Sequence, residues 1–563
     1  MPLLLLWLLL SIGLASPLLG QVSSTSDSPA EKAKQLAAGQ RWQEIVSLAE
    51  SAPEPSPELD YYHGVALAHL ERWDDARNAL RRGARLRPGD ERFPVELAGV
   101  AFKQKRYSEA ARFLRRALKI APGDRYATEF LATVYFLQGN LNAALKYWNR
   151  LNKPSIAGVR LDPVPRLDPV LLDHALAFAP ASTLLLPELL TSETWAGGLG
   201  VFPTFTFDLS AREDGKFDLA FRNQELNGLG RNKLEALVRL FSGLPAQEVT
   251  PEYFNLHHDA INIISLYRWD AQKRRARAEI SAPWTGPKRR LTLSGDWRDE
   301  NWDIRSSFAG KVPLLGSLSL EREAASVGVT FFPSGRWNWS AGAEFSHRDF
   351  ANVFSGSALT SSLLSQGNQL KQLAQVNADI WRVPERRLTI SSGLSSQAGR
   401  IWSAPARAFE KLEAEARFHW FPQGQGDDFE MQQRVRAGKT WGTVPFDELF
   451  MFGGLGDNNL MMRGHITTHG GRKGSGPLGR NYFLSNWEMD KNVFHNGLFA
   501  VKLGPFLDTG KIYDPSPGLG SHHWLYDTGG QVKLRAFGLG VAFTYGKDLR
   551  SGNNAVFVTF LER

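Results

Sequence analysis

From about residue 230 to the end, the chain is a succession of short runs in which apolar and polar residues alternate. Ala276, Ala278, Ile280 and Ala282 interleave with Arg277, Glu279 and Ser281; Leu412, Ala414, Ala416, Phe418 and Trp420 oppose Lys411, Glu413, Glu415, Arg417 and His419. Phe537, Leu539, Val541, Phe543 and Tyr545 alternate with Gly538, Gly540, Ala542 and Thr544. A period of two predicts strands. One face suits hydrocarbon, and the other carries more charge than a soluble sandwich would turn toward its core. These ~330 residues allow about 16 strands of ~10 residues, the length at which a tilted strand crosses a bilayer. No uninterrupted apolar run of about 18 residues follows residue 20, so a membrane-spanning chain must close as an antiparallel barrel. The predicted barrel covers 230–563. Arg231–His258 breaks the alternation and reads as an early strand plus an inserted helix, which places the first strand within 232–270. Trp297, Trp302, Trp337, Trp339, Trp381, Trp420 and Trp441 stand near run ends, as interfacial girdles require.

Residues 30–153 show a different period. Trp73, Tyr107 and Leu141 recur at intervals of 34, as do Ala76, Ala110 and Ala144, and Pro88-Gly89-Asp90 returns as Pro122-Gly123-Asp124. The spacing predicts paired helices, with alanine at the close crossings. It resembles the tetratricopeptide repeat, in three good units and one worn unit beginning near Arg41-Trp42. Such repeats bind proteins or peptides, so a periplasmic protein partner is one expectation and a plain spacer the other.

Residues 155–226 predict a strand at Ile156–Leu161, helices around Leu171–Phe178 and Leu184–Trp195, and strands at Phe205–Leu209 and Phe217–Phe221 joined at Asp214-Gly215. This β-α-α-β-β order, immediately ahead of a barrel, resembles a polypeptide-transport-associated (POTRA) domain. The resemblance implies that an exposed edge receives client strands, with Phe205, Phe207 and Leu209 as candidate contacts.

The sharpest signal lies further on. Gly453-Gly454 precedes Arg463-Gly464-His465, Glu488 follows in Asn486-Trp487-Glu488, and Asp508 and Gly510 stand in Phe506-Leu507-Asp508-Thr509-Gly510. Three elements in this order resemble the lumenal-loop signature of the outer-membrane assembly-factor superfamily of 16-stranded barrels. The resemblance implies that Arg463 folds into the lumen and pairs with Asp508 and Glu488, locking the loop. His465 departs from the pattern, which has Phe or Tyr there. A guanidinium is stable in such a lumen only where carboxylates meet its donors.

Composition narrows the function classes. The net charge of +8 comes from 66 Lys and Arg dispersed along the chain, so no nucleic-acid partner is expected. The absence of cysteine excludes disulfides and thiolate metal sites. Residues 1–20 read as a signal peptide, with a cut after Ala15 or after Gly20; a transmembrane anchor is the alternative, against which Gly13, Pro17 and Gly20 interrupt the apolar run. His257-His258-Asp259 and His522-His523 lack metal-ligand spacing, Gly504 to Lys511 departs from a phosphate loop, and no nucleophile elbow occurs. No metal, cofactor or catalytic activity is expected.

The sequence therefore predicts a multidomain protein: a helical repeat solenoid, one small α/β POTRA domain and a ~16-stranded transmembrane barrel. The bilayer and client polypeptides would be its partners, in the bacterial outer membrane with the N-terminal domains in the periplasm. A polysaccharide-export porin and a barrel-anchored scaffold are the alternatives.

Overall fold

The structure, a computed structural model, describes residues 28–52, 54, 56–305, 312–403, 405–423, 426–454, 459–496, 499–536 and 539–561. The expected signal peptide lies outside the described residues. The chain divides after Ala127 into two compact units.

Helices come in pairs at the predicted period: α1 (Pro29–Ala38) and α2 (Trp42–Glu50), α3 (Pro57–His69) and α4 (Trp73–Leu86), α5 (Arg92–Lys103) and α6 (Tyr107–Ile120), α7 (Arg125–Leu137) and α8 (Leu141–Trp148). Trp73, Tyr107 and Leu141 each open the second helix of a pair, and Ala76, Ala110 and Ala144 are completely buried at the crossings. A larger side chain there would hold the helices apart. In the first unit, Ile45, Leu67, Leu80, Phe93 and Leu97 fill the core.

The second unit contains the small domain: β1 (Ile156–Asp162), α9 (Pro169–His174), α10 (Leu186–Gly198), β2 (Thr204–Ala211) and β3 (Phe217–Gln224). Its sheet has the order β1-β3-β2, so β2 forms one edge. Asp168 caps α9 by accepting from the N–H groups of Val170 and Leu171.

The inserted helix, α11 (Lys233–Ser242), precedes the first strand rather than following it. It buries Glu235 between Arg231 and Arg239 and exposes Leu234, Leu237, Val238 and Phe241. The barrel strands then run β4 (Glu248–Val249), β5 (Glu252–Leu256), β6 (Ile261–Arg268), β7 (Lys273–Pro283), β8 (Arg289–Arg305), β9 (Leu314–Ser334), β10 (Trp337–Phe354), β11 (Gly367–Val383), β12 (Leu388–Trp402), β13 (Arg407–Trp420) and β14 (Phe429–Gly442). Four short segments follow within one long loop: β15 (Phe450–Met451), β16 (Thr468–His469), β17 (Arg472–Lys473) and β18 (Leu478–Gly479). The wall resumes with β19 (Asn481–His495), β20 (Phe499–Tyr513), β21 (Leu525–Ala536), β22 (Leu539–Asp548) and β23 (Asn554–Phe560).

Eighteen of these segments belong to one closed sheet. Both β4 and β5 pair with β6, as two halves of one strand interrupted at Thr250-Pro251. Proline has no N–H to give a ladder, which accounts for the break. Ile280, Val327, Phe345, Leu394, Phe543, Val556 and Val558 are exposed on the outside, the surface that hydrocarbon would cover. Trp337, Trp381, Trp420 and Trp441 are exposed too, whereas Trp302 points inward and packs edge-on against Phe446, so it is no part of a girdle. Among the described residues no helix is long and apolar enough to cross a membrane.

Four turns at one rim carry the helical elements of this unit. His258 accepts from the Asp168 N–H at 2.8 Å, Arg290 donates to the Leu199 carbonyl at 2.7 Å, and Trp195 donates to the Phe332 carbonyl at 2.9 Å. At the fourth turn Asn140 donates to the Pro384 carbonyl at 2.8 Å, and Lys146 meets Glu385 at 2.6 Å.

Candidate functional site

Strands β14 and β19 are hydrogen-bonded to each other from Phe429↔Lys491 to Lys439↔Asn481. The described residues between them, 443–454 and 459–480, therefore stand outside the β14–β19 ladder, and of these only the short β16 and β17 join the sheet, through Lys473 beside Trp302 of β8. This loop turns into the lumen, and fixed charges hold it there. Near its start Asp447 meets Arg348 at 2.9 Å and Arg322 at 3.1 Å, and Glu448 meets Lys371 at 2.9 Å. Near its end Lys473 meets Glu300 of β8 at 2.6 Å. An apolar patch of Phe450, Phe452, Leu460 and Met462 rests on Tyr482, Leu484, Ile512 and Leu525. Between loop and wall lies a cavity of about 400 Å³ lined by charged groups, among them Arg298, Lys411, Glu413, Arg417, Arg434 and Arg436.

Arg463 sits at the turn that follows Met462 and is 5% exposed. Its Nε and Nη2 donate to the two oxygens of Asp508 at 2.9 and 2.6 Å, and Nη1 donates to Glu488 at 2.8 Å. The Arg463 backbone N–H also reaches Asp508, at 2.9 Å, and the guanidinium lies 3.9 Å from the centre of the Phe506 ring. This is a bidentate, charge-assisted clamp with a cation–π face. Asp508 also accepts from Asn486, and Lys533 bridges Glu488 and Asp490 at 2.8 and 2.7 Å.

The wall beneath the loop is a register row. Asn486 opposes Asp508, Asp508 opposes Asp527, and Asp527 opposes Asp548 across four neighbouring strands. The loop follows this row residue by residue. Arg463 takes Asp508; the Gly464 N–H donates to Asp527 at 2.6 Å; and His465 Nδ1 lies 3.0 Å from Asp527 while its Nε2 lies 3.9 Å from Asp548.

Such close seating requires glycine. A Cβ on Gly464 would stand 2.7 Å from both the Asp527 carboxyl carbon and the Asp548 backbone nitrogen. Gly453, at φ +152°, would meet the Thr467 side chain at 2.1 Å. Its neighbour Gly454 donates its N–H to the His465 carbonyl at 2.7 Å, and Gly510 lies under Phe452 and Met462.

All eight residues of the expected lock thus come together: Gly453, Gly454, Arg463, Gly464, His465, Glu488, Asp508 and Gly510. Of the client contacts expected at Phe205, Phe207 and Leu209, only Phe205 is partly exposed. Phe207 and Leu209 are buried in the small domain's core, and Phe205 packs against Phe202, Phe207 and Phe221. What β2 leaves available is its backbone edge and the outward side chains of Thr206 and Asp208. Asp527, Asp548 and the Asp447–Arg348 pair escaped the sequence reading. A signal existed for Asp527: Asp508-Thr509-Gly510 is repeated as Asp527-Thr528-Gly529.

Fold and site together define a class: a β-barrel preceded by helical repeats, with a loop clamped across its lumen by an arginine between two acids. The tetratricopeptide-repeat family profile matches residues 101–154. In overall structure the chain is similar to BamA from Haemophilus ducreyi lacking POTRA domains 1–3, at 10% identity and a TM-score of 0.42, over 72% of this chain and 84% of that one. CdiB from Escherichia coli is similar at 13% identity and a TM-score of 0.46, over 73% and 75%. CdiB from Acinetobacter baumannii is similar at 12% identity and a TM-score of 0.41, over 83% and 85%. No curated protein matches the sequence significantly. The barrel assignment rests on the strand ladder itself.

Proposed function

We propose that this chain is an outer-membrane barrel of the assembly-factor superfamily that inserts outer-membrane proteins or passes a polypeptide across the membrane. Its repeats and its POTRA-like domain act in the periplasm as partner-binding modules. The observation that carries the reading is Arg463, held by both Asp508 and Glu488 at the position the superfamily signature requires. The proposed role is non-enzymatic. An extended client adds to the β2 edge by main-chain hydrogen bonds, and the barrel then receives it. A polysaccharide-export porin needs an open aqueous lumen, and a loop pinned to β8, β9, β10, β11, β20 and β21 counts against one.

Photo-crosslinkers placed at Thr206 and Asp208 in intact cells test this function. The expected product is a trapped outer-membrane or exported polypeptide. Unchanged outer-membrane protein levels on depletion, with no polypeptide trapped from β2, would overturn the reading.

A further inference from the structure

The row of aspartates poses a charge problem that Arg463 does not solve. Asp508, Asp527 and Asp548 are 0%, 0% and 3% exposed and sit at directly opposed positions, where like charges repel. Arg463 is shared between Asp508 and Glu488, and Lys533 between Glu488 and Asp490. Asp527 and Asp548 retain only other donors. Asp527 accepts from the Gly464 N–H and faces His465 Nδ1; Asp548 accepts from the Arg550 backbone N–H and the Ser551 hydroxyl. Among the described residues no lysine or arginine side chain pairs with either carboxylate, and Asp527 Oδ1 is buried without a hydrogen-bond partner. Buried carboxylates lacking a cation are strongly disfavoured. A neutral imidazole carries a single N–H and cannot serve both.

We propose that His465, Asp527 and Asp548 hold a divalent transition-metal ion, with zinc as the reference cation. One imidazole nitrogen and two carboxylate oxygens lie within 4.8 Å of one another; ligands around an ion bound tetrahedrally at about 2.0–2.2 Å stand about 3.3–3.6 Å apart, so the three side chains draw in by about 1 Å to hold one. The donor set is the nitrogen–oxygen type that borderline cations favour, and a dication neutralises the two carboxylates. The unpartnered Asp527 oxygen or a water completes the coordination. The ion fastens the loop tip to β21 and β22 next to the Arg463 clamp. The inference requires only the loop and the wall, independent of what the barrel transports.

The test uses the untagged full-length protein, folded in detergent, loaded with Zn²⁺ and gel-filtered before metal analysis. About one ion per chain should remain, and Co²⁺ in its place should give visible ligand-field bands. Both signals should be lost in His465→Ala and Asp527→Asn and kept in a His522→Ala/His523→Ala variant, which removes an exposed histidine pair. If the first two variants do not fold, Asp548→Asn carried through the same measurements decides. A chelator should lower the unfolding temperature of the wild type and leave that of any folded site variant unchanged. Substoichiometric metal in the wild type, or metal retained equally by the site variants, would overturn the proposal and leave the contact between His465 and Asp527 in its place.

Discussion

Neighbouring carboxylates along one row of a lumen wall need partners supplied from elsewhere, and the loop supplies them. Truncating Arg463 to alanine leaves Asp508 buried without its guanidinium, a class of change that costs about 3–5 kcal/mol. Arg463→Lys should recover only part of this, because an ammonium cannot make the bidentate contact. Urea titration of the folded barrel, followed by its gel-mobility shift, measures both; equal midpoints for wild type and Arg463→Ala would refute the clamp. A smaller lock works in the repeats, where hydrogen bonds from Arg92 hold the Asp90 carboxyl below its ordinary value of 3.8, against the opposing effect of burial. A depressed carboxylate stabilises the fold above its unfolded value and loses that contribution as pH falls through the folded one. The helical melting temperature should therefore drop in Asp90→Asn at neutral pH, and the difference from wild type should shrink as the solution is acidified below 3.8. A difference that grows on acidification would reverse the assignment.

Among the elements, the eighth helix and the barrel turn at 384–387 form a joint held by an ion pair. Glu385 accepts from Lys146 at 2.6 Å and from the Tyr147 hydroxyl at 3.1 Å. Each such bond contributes about 1 kcal/mol. Glu385→Ala should speed limited proteolysis around 149–155 severalfold while leaving barrel unfolding unchanged; an unaltered cleavage rate would show that Asn140 and its neighbours hold the joint without it. The small domain's edge strand shows why alternation by itself misleads about contacts. Phe205, Phe207 and Leu209 look like a binding face in sequence because they are apolar and alternate. They alternate because one face of β2 covers its own core.

For the molecule as a whole, the consequence of the loop is a lumen crossed from wall to wall. Its attachments reach β8 on one side and β19 to β22 on the other, so it spans the barrel rather than lining one wall. Replacing residues 446–475 by a short Gly-Ser linker should raise single-channel conductance severalfold in planar bilayers. Equal conductance would mean that the loop does not obstruct the pore. The architecture behind this was legible from periods of 34 and of two, because repeat spacing and strand alternation are local properties of the chain. The break at Thr250-Pro251 and the inward turn of Trp302 were not legible, since each depends on which strand lies alongside.

Local chemistry in the chain determined that there would be paired helices, a small mixed sheet and a wall with one greasy and one charged face. It also determined that a guanidinium turned into the lumen would need carboxylates; that Arg463 would find Asp508 and Glu488 was implied by the resemblance of its motif, not by local chemistry. Register decided the rest. Only pairing across β20, β21 and β22 sets Asp508, Asp527 and Asp548 in line, and only the inward fold of residues 459–480 brings His465 between the last two. Residues as far apart as His465 and Asp548 become one buried site because hydrogen bonds between strands, and not order along the chain, fix which carboxylates are neighbours.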